Sequence, residues 1–154
     1  AAHEGRGREG MGTTMTAAML EGERLIIAQV GDSRAYLLHK GQMQQLTRDH
    51  SLVADLIEAG QITEAEARVH PQRSVITRAL GSDPRTQPDL FEITVEAGDR
   101  LLLCSDGLSN VMADQEMLFE VVHGLSKSDC CQRLLHIAKN RGAPDNVTVT
   151  LAAV

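Results

Sequence analysis

The order of apolar periods along this 154-residue chain predicts an α+β fold. Three observations carry that prediction. Short β-type runs broken by turn signals fill the first third. Helical stripes with capping residues occupy two later stretches. A continuous apolar run, Leu101-Leu102-Leu103-Cys104, reads as a strand buried on both faces. The length suits one domain, and a chain of this size buries roughly 70% of its unfolded surface.

Residues 1–10 carry no apolar period and read as a flexible tail, so order is expected from Met11 onward. Thr13 to Met19 is rich in Thr and small residues, and Glu21-Gly22 marks a turn. Arg24 to Val30 is a β-type run, interrupted by Gly31-Asp32. Ser33 to Leu38 and Gln42 to Leu46 follow, separated by Lys40-Gly41. Such short runs with tight connections predict an antiparallel meander. Then the period changes. Leu52, Val53, Leu56 and Ile57 form a helical stripe between a Ser51 cap and a Gly60 stop. Thr63-Glu64-Ala65-Glu66 is a capping box, and His70-Pro71 ends the second helix. This helix pair resembles an inserted flap.

Val75 to Leu80 is ambiguous between strand and loop. Phe91 to Val95 alternates like a strand, and Gly98-Asp99 turns the chain into the Leu101 run. Asp114 is the expected cap of a helix carrying Met117, Leu118, Val121 and Val122. Ser126, with Asp129 three residues on, caps another carrying Leu134, Leu135 and Ile137, which Gly142 stops. Val147 to Val154 is the last β-rich stretch.

Composition excludes several functions. Tyr36, Phe91 and Phe119 are the only aromatics, so no platform exists for stacking single-stranded bases. The net charge of -6 lacks the basic footprint of a nucleic-acid binder. No apolar run reaches the ~20 residues of a membrane span. Cys104, Cys130 and Cys131 form no CxxC pair, so neither zinc nor a disulfide framework is expected. Free thiols fit a reducing, cytoplasmic setting. Cys104 reads as a packed small hydrophobe. Cys130 and Cys131, adjacent on one helix, read as one buried and one not.

Three aspartates share a local context. Asp32 lies in Val30-Gly31-Asp32-Ser33-Arg34, Asp106 in Cys104-Ser105-Asp106-Gly107-Leu108, and Asp145 in Gly142-Ala143-Pro144-Asp145-Asn146. Each borders an apolar β-run beside glycine or proline. Strand ends are rigid mounts, and hard cations such as Mg²⁺ or Mn²⁺ want several oxygen ligands. Taken singly, each motif is equally an ordinary turn. On spacing alone both readings stand. Ser105 and Ser109 lack a paired base nearby and are not read as nucleophiles.

Six segments, in order, resemble the bacterial type of the metal-dependent protein phosphatase 2C (PP2C, or PPM) family. They are Gly10-Met11-Gly12-Thr13-Thr14, Val30-Gly31-Asp32-Ser33-Arg34-Ala35-Tyr36-Leu37, Leu46-Thr47-Arg48-Asp49-His50-Ser51, the stretch His70 to Gly81, the stretch Gly98 to Leu108, and Gly142 to Val149. The resemblance covers residues 10–154. It implies a β-sandwich of two antiparallel sheets flanked by helices, a four-layer αββα arrangement. It implies Mn²⁺ or Mg²⁺ as cofactor, two ions and a weaker third. Asp106 and Asp145 match ligands of the two-ion centre, and Asp32 matches a ligand of the third ion shared with Asp106. Gly107 and Asn146 match positions beside the metals. Residues 46–73 match the flap, where His50 could approach a substrate or be a solvated loop histidine. Arg78 also falls in a motif position on the substrate side, and the residues favour a structural role for it. The activity implied is hydrolysis of phosphoserine and phosphothreonine by metal-activated water, with no protein nucleophile. The implied partners are phosphoproteins, Ser/Thr kinases and their substrates among them.

Two family motifs, R-x-x-N-E-D and D-G-M-G-G, do not occur here. Gly10-Met11-Gly12 is not the second, because Glu9 stands where its Asp would and Thr13-Thr14 marks a later strand. By the resemblance, residues 11–154 form an N-terminally truncated domain, its C-terminal two-thirds. A bridging Asp, a further acidic ligand and a phosphate-gripping Arg would then be lacking. Weak or absent catalysis by this chain is the expectation. The alternative is a noncatalytic relative that binds a partner or a phosphopeptide. Uncovered sheet edges would favour a dimer.

Overall fold

A computed structural model describes residues 10–143 and 145–154. Of the expected tail, residues 1–9 lie outside the described span. The elements are β1 (Met15–Glu21), β2 (Arg24–Val30), β3 (Arg34–His39), β4 (Gln42–Gln45), α1 (Leu52–Glu58), α2 (Glu64–Val69), β5 (Asp89–Thr94), β6 (Arg100–Cys104), α3 (Asp106–Ser109), α4 (Asp114–His123), α5 (Lys127–Asn140) and β7 (Val149–Ala153). They form two sheets, ordered β1-β2-β5 and β4-β3-β6-β7. The α+β class follows as predicted.

The single N-terminal meander does not form. β1 and β2 enter one sheet, β3 and β4 the other. Both hairpins are local and legible. Lys40 and Gly41, at φ 49° and 79°, make the doubly left-handed turn that matches strand twist. Between the hairpins Gly31 takes φ 101° and breaks the extended backbone. Local alternation cannot say that the chain changes sheets at such a break.

The chain divides into two compact units. One gathers residues up to Met19, Ile26–Asp32 and Arg48–Glu92; the other gathers Leu20–Leu25, Ser33–Thr47 and Ile93–Val154.

In the first unit, α1 starts at Ser51, whose Oγ accepts the Ala54 N–H at 3.3 Å, and stops before Gly60 at φ 67°. The Thr63–Glu66 capping box forms reciprocally. His70, forced extended before Pro71, ends α2. Val75 to Leu80 makes no strand, only the isolated pairings Ser51↔Ile76 and Thr13↔Leu80.

In the second unit, β6 pairs antiparallel with both β3 and β7. Its core is aliphatic apart from Tyr36, with Leu102, Leu108, Met117, Val121 and Leu134 at 2% exposure or less. Each such side chain contributes about 1.5–3 kcal/mol on burial. Burial pushes the Tyr36 phenol well above its ordinary range; it accepts from Arg34 and donates to Asp114 Oδ1 at 3.3 Å. Asp114 is thus the first helical residue and not the cap. Ala113 holds the cap position, and the Glu116 carboxylate accepts its N–H at 2.9 Å. Ser126 does cap α5, accepting from Asp129 N–H at 3.1 Å. Cys104 and Cys130 are buried and Cys131 half-buried, as the sequence indicated.

Candidate metal and phosphate site

The β6–β7 ladder delivers two of the three aspartates to one place. Cys104 lies opposite Val149, and the ladder continues one step further through Ser105 N–H to the Thr148 carbonyl at 3.1 Å. The Ser105 hydroxyl then donates to the Asn146 carbonyl at 3.1 Å and accepts the Thr148 N–H at 3.0 Å. Ser105 is therefore a staple, as its rejection as a nucleophile leaves it free to be. Immediately beyond it, Asp106 opens α3.

Gly107 is required by close approach. A Cβ there would overlap the Asn146 carbonyl oxygen. The 145–147 turn thus lies against the start of α3. Asp145 is exposed and its Oδ1 accepts the Asn146 N–H at 2.7 Å. Asp106 is half-buried and its Oδ2 accepts from Asn110 Nδ2 at 3.2 Å. Partial burial, and secondly the charge of Asp145, push the Asp106 carboxyl above its usual range. Two neighbouring carboxylates are the donor chemistry of a hard divalent cation, which would offset the charge that Asp145 places beside Asp106. The pair fits one such ion. Among the described residues no three His, Cys, Asp or Glu side chains gather closely enough to hold a metal. A complete two-ion ligand set is thus not assembled by them. Asn110 escaped the sequence reading, although its spacing of four from Asp106 on a helix was a usable signal.

The first unit holds Asp32, His50 and Arg78. Asp32 is half-exposed at the bend that follows β2. Its neighbour Gly31 cannot carry a side chain, because a Cβ would overlap Thr14. His50 corrects both sequence readings. It is neither solvated nor open to substrate, being 1% exposed. Its Nδ1 accepts the Gly31 N–H at 3.0 Å, and its Nε2 faces Asp89 Oδ2 at 2.9 Å. Asp89 also receives Arg78. Hydrogen bonds from His50 and then Arg78 hold the Asp89 carboxyl below its usual range. Arg78 and Asp89 line a cleft of about 480 Å³ with Thr77, Arg85 and Thr86. Asp89 had no signal in the sequence, since its partners lie 39 and 11 residues away.

The family model for protein phosphatase 2C matches residues 3–147. The serine/threonine protein phosphatase PstP of Mycobacterium tuberculosis is 46% identical over 146 residues, 95% of this chain and 28% of that protein. The crystal structure of serine/threonine phosphatase Stp1 from Staphylococcus aureus superposes with TM-score 0.94 at 42% identity, over 99% of this chain and 60% of that one. A PstP catalytic domain in complex with two manganese ions gives TM-score 0.85 at 41% identity, over 94% of this chain and 60% of that one. This chain therefore spans under a third of the full-length relative and about three-fifths of the two solved chains. By the match of the family model over most of its length, and by its fold, the chain belongs to the protein phosphatase 2C family.

Proposed function

We propose that this chain is part of a metal-dependent serine/threonine protein phosphatase, and that Asp106 and Asp145 ligate its Mn²⁺ or Mg²⁺. The observation that carries the reading is the paired carboxylates fixed by the Ser105 staple and the Gly107 contact. When bound, such ions supply an activated water and offset charge on phosphoryl oxygens. The chain's own residues do the positioning. Ser105 holds the Asn146 turn, Asn110 orients the Asp106 carboxylate, and Gly107 lets the two backbones meet. Asp32 is a ligand of a third, weaker ion. Arg78, beside the 480 Å³ cleft, faces the substrate side. Substrates are proteins carrying phosphoserine or phosphothreonine, among them Ser/Thr kinases and their targets. The setting is the cytoplasm. No helix among the described residues is long and apolar enough to cross a membrane.

The test is Mn²⁺-dependent phosphate release from a phosphothreonine peptide. It is run on this chain joined to the remaining length of the family domain, on the 154-residue chain alone, and on Asp106→Asn of each. Turnover by the longer form, lost in Asp106→Asn, is expected, with little or none from the chain alone. Turnover unaffected by Asp106→Asn would refute the assignment. A longer form that binds the phosphopeptide without hydrolysing it would establish the alternative, a noncatalytic binding domain. Two gathered carboxylates, rather than a complete set, are what keep that second reading in play.

A further inference from the structure

We propose that His50 is a positioning residue that fixes the peptide plane leading into Asp32 and links it to the Arg78–Asp89 pair. The inference rests on the reading of Asp32 as a metal ligand. Gly31 sits at φ 101° with no side chain to anchor it. Its orientation must come from its two backbone polar groups. His50 holds both. The Gly31 N–H donates to His50 Nδ1 at 3.0 Å, and the His50 N–H donates to the Gly31 carbonyl at 2.9 Å. Gln29 Nε2 adds a second donor to that carbonyl at 2.8 Å. The Gly31 carbonyl belongs to the peptide unit whose nitrogen is that of Asp32. Two donors on that oxygen fix the rotation of the unit and so the direction in which Asp32 departs.

The clamp also fixes the imidazole. Because Nδ1 accepts, the ring proton is on Nε2, which donates to Asp89 Oδ2 at 2.9 Å. The ring is 1% exposed, so water does not replace either partner. The His50 carbonyl accepts the Thr77 N–H at 2.8 Å, one residue before Arg78. One buried side chain therefore joins the Gly31–Asp32 bend to the wall of the Arg78 cleft. A purely structural histidine would fill the same space without its Nδ1 acceptor mattering to Gly31, and the experiment separates the two.

Nitrogen-15 NMR of the 154-residue chain at neutral pH reads the tautomer directly. A proton on Nε2 is expected; a proton on Nδ1 would overturn the clamp, whether or not any variant folds. His50→Asn keeps an acceptor where Nδ1 sits but cannot reach Asp89. His50→Gln reaches Asp89 but offers Gly31 no such acceptor. Exchange of the Gly31 amide should stay within about threefold of wild type in His50→Asn and accelerate about tenfold or more in His50→Gln. Equal effects in the two variants, or the reverse order, would overturn the proposal. Paramagnetic broadening by Mn²⁺ at Asp32 should persist in His50→Asn and weaken in His50→Gln. Broadening near Asp106 with none at Asp32 in the wild type would instead refute Asp32 as a ligand, and with it the role toward metal. The amide exchange would still report on the clamp.

Discussion

Gly31 and Gly142 share a left-handed backbone but not a reason for being glycine. Both have positive φ, 101° and 68°. Around Gly142 a Cβ would meet nothing within 4 Å, so only the backbone term operates. At Gly31 the Cβ would also overlap the Thr14 side chain and disturb a peptide held by His50. Gly142→Ala should cost about 1 kcal/mol, and Gly31→Ala more than about 2 kcal/mol, in urea denaturation. Equal losses would show that Thr14 moves aside freely. The sequence marked Gly31 as an interruption, because glycine between apolar runs is a local signal. It could not mark His50 as its partner. That contact spans 19 residues and is made by folding, so a motif histidine looked free when it is buried.

Helix ends were readable because a capping side chain and the N–H that donates to it lie within four residues. Ser51, Thr63 and Ser126 each accept the N–H that their spacing implied. Thr63→Ala should cost about 1 kcal/mol. The expected signature is a lower unfolding midpoint in chemical denaturation. No loss would mean that α2 is held by packing rather than by its cap. The start of α4 was misread because Ala113 offers no capping side chain to read. Its support, Glu116, is gripped by Arg141 from beyond the end of α5, through Nη2 at 2.5 Å and Nη1 at 2.9 Å. Arg141, then the Ala113 N–H, lowers the Glu116 carboxyl from 4.5 to about 2. A depressed folded-state pKa contributes stability that is present above the unfolded value and lost on acidification through the folded one. The contribution of Glu116 should therefore be intact above about 4.5 and fade toward about 2. Glu116→Gln should be less stable than wild type at neutral pH, with the gap closing across that window. The half-exposed pair keeps the gap small, within about 1 kcal/mol. A gap independent of pH would assign the role of Glu116 to packing alone.

At the scale of the molecule, the pairing of Asp106 with Asp145 was more legible than the partition of strands between sheets. Asp32, Asp106 and Asp145 sit just past strand ends or in a turn, places that glycine and proline mark locally. The partition of strands between sheets leaves no such mark, since β1 to β4 have similar local patterns. Counting oxygens then decides what this length of chain can do. A hard divalent ion takes about six oxygen ligands, and protein carboxylates supply the charge that holds it. Here the register of β6 and β7 assembles Asp106 and Asp145, with no third acidic, His or Cys partner among the described residues. Affinity should accordingly be weak. Calorimetry of the 154-residue chain should give a Mn²⁺ dissociation constant on the order of 10⁻³ M, typical of sites with few charged ligands. Asp106→Asn should abolish the heat, because it leaves one carboxylate. Ser105→Ala should weaken binding while sparing both ligands, because the turn that carries Asp145 loses its bond to the Ser105 hydroxyl. Joining the remaining family length should tighten binding by at least tenfold. Micromolar binding by the chain alone, surviving Asp106→Asn, would place the metal elsewhere and break the link between this register and the site.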